Sequence, residues 1–404
     1  MESIDLFVIG AGINGAAVAA DAAGRGLSVI LCEKNDIGSA TSSASSKLIH
    51  GGLRYLELYE FGLVRKALQE REILMRKAPH LVTPLQFILP HEKHLRPAWL
   101  IRLGLFLYDH LSRKNLLPDS KYVHLDDSIF GKSLQKQFSR GFSYYDCFTD
   151  DSRLTLANAL AAEEKGARVI IRHEFISAQR ENNQWIITCK NNVNNEIKKF
   201  TAKMLVNATG PWINETQQRI DSTKIIPHKL VKGSHIIIPR LYSGNFAYIL
   251  QNSDKRIVFT IPYLDKFTLI GTTDIDFDGN IDNAIEISSD EKNYLCKIIN
   301  DYFNKKITSN DIISSYAGVR CLQQENKEKL SEIDRDYKIL VDKNSLLVTI
   351  IGGKLTTHRK LAEETVNQIK TFFPEMKPAW TATAPLPGGN FPENDMEKFI
   401  IHFK

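Results

Sequence analysis

The sequence predicts a mixed fold, α/β plus α+β, in which a discontinuous Rossmann-like dinucleotide-binding domain carries an inserted antiparallel-sheet substrate unit. Three observations point there. The apolar run Ile4–Ile9 leads into a glycine turn and then into an alanine-rich helical segment. Two further apolar runs ending in glycine turns lie far downstream, at Met204–Gly210 and Leu346–Gly353. Between them, Lys229–Thr273 reads as a succession of short β-type runs. Nucleotide-type strands at the start, near 205 and near 350, with antiparallel material between, fit an insertion better than two successive domains. The expected division is 1–75, 150–222 and 340–375 for the dinucleotide domain, with 76–149 and 223–339 for the substrate unit.

Each element has its local reason. Ile4–Ile9 is uniformly apolar, as a buried parallel strand requires. Ile13–Ala23 is helical and carries Ala16, Ala17, Ala19, Ala20, Ala22 and Ala23, whose small side chains let a helix lie close on a sheet; Gly24 and Gly26 stop it. Leu27–Cys32 is the second strand, closing on Glu33, so the opening is one βαβ unit. A Ser/Thr-rich loop at Thr41–Ser46 follows, and Phe61–Lys77 has helical periodicity. Asp151–Lys165 reads as a helix. Val169–Arg172, Phe175–Gln179 and Trp185–Cys189 read as a small meander. Ser289–Asn304 and Thr356–Thr371 are helical, and Pro374–Pro392 is proline-rich and irregular.

At 404 residues, two packed units are expected. Hydrophobic residues at 43% and charged residues at 25% are ordinary for a globular chain. No apolar run reaches the roughly 20 residues of a spanning helix, and the N-terminus lacks a signal peptide's basic region and cleavage site, so a cytoplasmic protein is expected. The five cysteines are scattered and form no Cys-x-x-Cys pair, which argues against a disulfide framework or zinc site. His91 and His94 are close, yet nothing nearby completes a site, so no metal is expected. The net charge of +5 suits anionic substrates or an anionic membrane surface; no nucleic-acid partner is expected.

Gly10-Ala-Gly12-Ile-Asn-Gly15 follows a strand and opens a helix. Gly10 permits the turn, Gly12 the approach of a pyrophosphate, and Gly15 close helix–strand packing, while the helix N-terminus offers N–H groups to phosphate. Glu33, about twenty residues on, is placed to accept from ribose hydroxyls. The pattern alone does not separate FAD from NAD. The further junctions Val206-Asn-Ala-Thr-Gly210 and Gly352-Gly-Lys-Leu-Thr356 favour FAD, because nicotinamide enzymes rarely need three such junctions so widely spaced.

Longer stretches carry a family likeness: Ala40-Thr-Ser-Ser-Ala-Ser-Ser-Lys-Leu-Ile-His-Gly-Gly-Leu-Arg-Tyr-Leu56, Leu95–Trp99, Asn207-Ala-Thr-Gly-Pro-Trp212, Lys232-Gly-Ser-His235, Gly271-Thr-Thr-Asp274, Gly318-Val-Arg320 and Gly352–Thr357. From residue 3 to about 390 the chain resembles the aerobic, FAD-dependent glycerol-3-phosphate dehydrogenases, within the glycine-oxidase-like flavoproteins and their glycine/D-amino-acid oxidase type of fold. The resemblance implies oxidation of sn-glycerol 3-phosphate at C2 to dihydroxyacetone phosphate, hydride transfer to FAD, and electrons passed to ubiquinone or another membrane quinone. A phosphate dianion calls for guanidinium and ammonium donors, which makes Arg54, Arg320 and Lys354 the substrate cations, with Tyr55 and Thr273 adding hydroxyls. His50 is the candidate base, since histidine titrates near neutral pH; His235 is the second candidate, and Arg320 is placed among the catalytic groups. The cofactor is assigned to Gly10, Gly12, Ile13, Asn14, Gly15, Glu33, Thr41, Ser42, Ser43, Lys47, Leu48, Gly51, Gly52, Ala208, Gly210, Trp212, Gly318, Gly353, Lys354, Leu355 and Thr356.

Two departures stand out. The family continues into a helical C-terminal domain, of which 376–404 reads as the beginning; that domain bears on dimer contacts and quinone reduction. Cys321 follows Arg320 where the family usually has proline, which is expected to loosen a loop carrying that arginine. The family is peripheral on the inner face of the bacterial membrane. Here Trp99–Leu107, containing Arg102 and flanked by Arg96, Arg113 and Lys114, is the segment suited to a headgroup interface; a core helix is the other reading. On the interfacial reading, charging Leu105 and Phe106 releases the protein from anionic vesicles. Two other functions remain open: an FAD-dependent amine or amino-acid oxidase, whose substrate needs fewer cations, and a truncated, inactive FAD-binding fragment.

Overall fold

The computed structural model describes residues 3–92, 97–112, 116–220, 225–252, 254, 256–324, 336–391, 398, 400 and 401. In chain order, β1 (Ser3–Ile9), α1 (Ile13–Gly24) and β2 (Val29–Cys32) form the opening unit, followed by β3 (Leu48–Ile49) and α2 (Phe61–Lys77). β4 (Val82–His91), α3 (Ala98–His110), β5 (Lys121–His124), β6 (Arg140–Thr149) and α4 (Asp151–Glu164) come next. Then come β7 (Arg168–Ile170), β8 (His173–Glu181), β9 (Gln184–Asn191), β10 (Ile197–Asn207) and α5 (Ile213–Arg219). The second half holds β11 (His228–Pro239), β12 (Phe246–Gln251), β13 (Ile257–Tyr263), β14 (Phe267–Gly271), β15 (Ile275–Asp276) and α6 (Ser289–Tyr302). β16 (Ser314–Gln323), β17 (Lys338–Asp342), β18 (Leu347–Ile351) and α7 (His358–Gln368) follow.

The first sheet has the order β17-β18-β10-β1-β2-β7, with β8 and β9 attached through β10. Its central strands are parallel, β1 lying between β10 and β2. β10 serves three partners: its first half is antiparallel to β9, and its second half is parallel to β1 on one side and to β18 on the other. The alanine face of α1 packs against α4 and α7 over one side of the sheet, in a core that includes Val18, Leu154, Ala161, Leu361 and Val366. The other side is filled by Phe7, Trp185, Ile187 and Leu205. Val169 therefore does not belong to the meander: β7 lies parallel beside β2, and the antiparallel hairpin is β8–β9.

The second sheet has the order β15-β11-β14-β13-β12-β4-β6-β3, with β16 on β11 and β5 on β6. It is antiparallel except where β12 runs parallel to β4. α6 covers one face through Leu295, Ile299 and Tyr302, starting from a reciprocal Ser288–Glu291 capping box. α2 and α3 cover the other face through Val64, Leu68, Leu105 and Tyr108.

α3 settles the orientation of the Trp99–Leu107 segment. Leu105 is 0% exposed, whereas Trp99, Leu103 and Phe106 are 69%, 47% and 48% exposed. A charge at Leu105 would enter the core, so that residue cannot report on a surface contact; His94, Arg96, Arg113 and Lys114 lie outside the described residues. Arg320 is not in a loop: it lies within β16, paired with Val231 of β11, so Cys321 continues a strand. Residues 376–391 form turns that return across α1. The Trp380 indole N–H donates to the Asp21 carbonyl at 3.2 Å, and Leu386 N–H to the Lys77 carbonyl at 2.8 Å.

Candidate active site

The C-terminal ends of β1, β2, β10 and β18 converge on one cleft of about 680 Å³, whose other wall comes from the second sheet. That volume lies within the roughly 300–1,000 Å³ range of small-molecule sites. Gly10, Gly12, Ile13, Asn14, Glu33, Thr41, Ser42 and Leu48 line it, as do Ala208, Gly210, Trp212, Gly318, Gly353, Lys354, Leu355 and Thr356. His50, Tyr55 and Arg320 line it too.

The glycine turn is built for close approach. Gly10 has φ +96°, and a Cβ there would sit 2.8 Å from the Ala208 carbonyl oxygen. A Cβ on Gly15 would sit 1.9 Å from the Gly10 carbonyl oxygen, so only glycine lets α1 start directly beneath the turn. Gly12 gives α1 no side-chain cap of its own, and Ser42 Oγ accepts the Ile13 N–H at 2.9 Å, so the positive helix end and this serine together form the cradle for an anion. Glu33 accepts from the N–H groups of Ala11 and Asn35, at 2.9 Å each, which fixes its carboxylate at the tip of β2. Asn14 donates to the Gly352 carbonyl at 3.0 Å, tying the first junction to the third, and its Oδ1 is buried with no hydrogen-bond partner among the described residues. A helix N-terminus beside an acid at the second strand suits an FAD pyrophosphate and ribose, and the orphaned Asn14 Oδ1 calls for a hydroxyl or N–H donor of the same cofactor. At the rim, Asp282 accepts from Lys34 (2.6 Å) and from the Trp212 indole (2.8 Å), linking the two walls.

The cleft also carries cationic and aromatic groups. The Lys354 ammonium lies 3.9 Å from the centre of the Tyr55 ring. It forms no ion pair with any described residue. Arg320 is held by an ion pair to Asp274 and by Thr272 Oγ1 at 3.2 Å. Gly233 leaves the space for it, since a Cβ there would sit 2.4 Å from Arg320 Nη2. His50 is fixed through its main chain: its N–H donates to Thr356 Oγ1 at 3.1 Å.

Several assigned residues lie behind the wall. Thr273 is buried; its hydroxyl accepts from Ser234 N–H at 2.9 Å and donates to Glu291 Oε1 at 2.7 Å. It is consumed by the fold and does not face the cleft. The Lys47 ammonium is buried against Asp151 at 2.5 Å, so it braces the Ser-rich loop from below. Ser43 donates to the Ala40 carbonyl at 3.0 Å, inside the same loop. His235 is 1% exposed, stacks on Tyr316 and shares a 2.9 Å hydrogen bond with Ser46. Burial, with Arg320 and Lys47 nearby, pushes its pKa down to about 3, so it is neutral and removed from the cleft wall. Gly51 and Gly52 form the turn after His50, and Arg54 is half-buried in the 3₁₀ helix Leu53–Leu58; none of the three lines the cleft. Sequence reasoning left Asp274 and Thr272 without a role, although both sit in the Gly271–Asp274 motif; only pairing across β11, β14 and β16 brings them to Arg320.

A dinucleotide cleft at the carboxyl ends of parallel strands, walled by an inserted sheet, is the architecture of a flavin-dependent oxidoreductase. The chain belongs to the FAD dependent oxidoreductase family, whose model matches residues 5–359, and within it to the glycerol-3-phosphate dehydrogenases. It is 50% identical over 393 residues to the glycerol-3-phosphate dehydrogenase of Pseudomonas aeruginosa, covering 96% of this chain and 76% of that one. It is 47% identical over 403 residues to the D-erythritol 1-phosphate dehydrogenase of Brucella abortus, covering 98% and 80%. Among solved structures, the FAD complex of the Bacillus halodurans glycerol-3-phosphate dehydrogenase superposes with TM-score 0.76 at 29% identity, over 99% of this chain and 71% of that one. Geobacillus kaustophilus glycine oxidase shares the fold, with TM-score 0.66 at 16% identity over 96% and 99%. The chain is an FAD-dependent enzyme.

Proposed function

We propose that this enzyme oxidises sn-glycerol 3-phosphate at C2 to dihydroxyacetone phosphate. The observation that carries the reading is that His50, Tyr55, Arg320 and Lys354 line the same cleft as the FAD cradle. Bound FAD supplies the hydride acceptor. Lys354 holds the phosphate, since it lines the cleft and has no carboxylate partner among the described residues. Arg320 differs: Asp274 offsets its charge and aims it, so its remaining N–H groups serve as directed donors to the C2 oxygen. His50 takes the C2 hydroxyl proton as hydride leaves. The two sheets support a division into two units, with β3 and α2 going with the second sheet and the reacting groups lying where the sheets meet.

The electrons pass on to ubiquinone or another membrane quinone, and the protein works on the cytoplasmic face of the membrane. Among the described residues no helix is long and apolar enough to cross a bilayer. The exposed stripe Trp99, Leu103 and Phe106 supports peripheral contact.

Anaerobic mixing with glycerol 3-phosphate tests the substrate: flavin absorption bleaches if the reading is right. The Brucella relative makes D-erythritol 1-phosphate the second substrate to try; bleaching by that polyol phosphate alone transfers the assignment to it. Bleaching only by an amino acid moves it to the oxidases. Arg320→Ala keeps the yellow colour and loses bleaching; normal turnover in that variant removes Arg320 from the site.

A further inference from the structure

The turn that carries His50 is held from behind by a buried polar network that the proposed chemistry leaves unused. Tyr108 on α3, Asp146 on β6 and Arg71 on α2 are 2%, 1% and 2% exposed. The Tyr108 hydroxyl donates to Asp146 Oδ2 at 2.7 Å and accepts the Gly51 N–H at 2.8 Å. Arg71 donates to Asp146 Oδ1 at 2.8 Å and to the Tyr145 carbonyl at 3.0 Å, and its other nitrogens bind Glu72. Glu72 in turn accepts the Leu116 N–H at 3.0 Å. Three elements thus converge on one backbone amide.

The geometry leaves that amide little freedom. A Cβ on Gly51 would sit 2.6 Å from Leu68 Cδ2 and 2.7 Å from the Tyr108 hydroxyl oxygen. On the cleft side, Thr356 Oγ1 accepts the His50 N–H at 3.1 Å and lies 3.3 Å from the His50 carbonyl oxygen. His50 is therefore clamped from both directions, by Thr356 in front and by Tyr108 through Gly51 behind. A buried carboxylate–guanidinium pair gives little net stability against an apolar core of the same volume. What it supplies here is direction: Asp146 fixes the Tyr108 hydroxyl so that a lone pair faces Gly51.

We propose that Tyr108, oriented by Asp146, is a positioning residue for His50: its hydroxyl fixes the Gly51 amide and so the direction in which the His50 side chain enters the cleft. This rests on the reading of His50 as the base. The test is a cycle of wild type, Tyr108→Phe, His50→Gln and the double variant, each FAD-loaded and mixed anaerobically with glycerol 3-phosphate. Tyr108→Phe keeps its flavin and its substrate Kd, and its limiting rate of flavin reduction falls about 10- to 100-fold, the scale of a small misplacement. In the His50→Gln background the same change slows reduction no further. Equal slowing in both backgrounds, or no slowing in either, overturns the proposal. His50→Gln reducing as fast as wild type removes the base assignment itself, and the proposal with it. Amide hydrogen exchange gives an independent readout on the wild-type holoenzyme, whether or not the variant folds. The Gly51 amide exchanges as slowly as the core of β6, and Tyr108→Phe accelerates it. Fast exchange at Gly51 in wild type overturns the proposal.

Discussion

Lys354 and Arg320 are both cations at the substrate end, but their surroundings give them different work. Lys354 rests on the Tyr55 ring and has its charge available, whereas Arg320 is ion-paired to Asp274. A charge-assisted hydrogen bond contributes about 1.5–3 kcal/mol. Lys354→Met is therefore expected to raise the Kd for glycerol 3-phosphate about 10- to 100-fold, while the flavin spectrum is unchanged. An unaltered Kd in a substrate titration would place the phosphate elsewhere. Asp274→Asn releases Arg320, and its effect is expected on the limiting reduction rate more than on Kd.

Also at this scale, His358 is fully buried, and its pKa is pushed down to about 3 by that burial, Lys77 and Arg359 adding to the effect. Between pH 6.5 and about 3 the unfolded state binds a proton that the native state does not. Stability from this group therefore rises with pH across that window and is lost on acidification. The Tm is expected to fall from pH 6.5 toward 4, and His358→Asn to fall less steeply. Parallel slopes would assign the acid sensitivity to other groups.

Elements turn these residues into a site. α1 begins where a Cβ would collide with the preceding turn, so Gly15→Val is expected to yield colourless protein, measured as flavin released per chain; a fully yellow variant would contradict the tight packing of turn and helix. α3 is two-faced, with Leu105 and Tyr108 in the core and Trp99, Leu103 and Phe106 outside. Trp99→Ser with Phe106→Ser should weaken sedimentation with anionic phosphatidylglycerol vesicles and leave flavin content intact. Unchanged sedimentation would discard this face as the membrane contact. The α3 segment was legible as an apolar, Trp-bearing stretch with basic residues around it, but which of its faces is buried was not, because the run is apolar nearly all round. Only the neighbours Leu68, Leu85 and Tyr144 show which face is inside.

At the scale of the whole molecule, the cleft exists because one sheet meets the other across it. Ligand bound there touches both units, and binding to the native state alone stabilises it by about 2.7 kcal/mol at a hundredfold excess over Kd. Removing FAD should lower the Tm, and restoring it should raise the Tm in proportion to the logarithm of FAD concentration. A Tm independent of FAD would mean that the cleft is not its site. The missed strands β4, β5, β6, β16 and β17 show why the second sheet was only partly readable. Their side chains alternate weakly, and the sheet is closed by partners far apart in sequence, such as β11 with β16 and β12 with β4.

The nucleotide half was legible residue by residue because its chemistry is local. A strand, three spaced glycines, a helix and an acid lie within 33 residues, and each is dictated by sterics or helix-end electrostatics. The family likeness extended that to a phosphorylated substrate. Which groups face the cleft was decided by long-range pairing. Tertiary structure turned Thr273 and Lys47 inward, because each has a buried acid to satisfy. It also gave Arg320 its partner Asp274, and set Tyr108 behind His50. Buried polar groups take whatever partner lies nearest in space, and nearness in space is what a linear pattern does not contain.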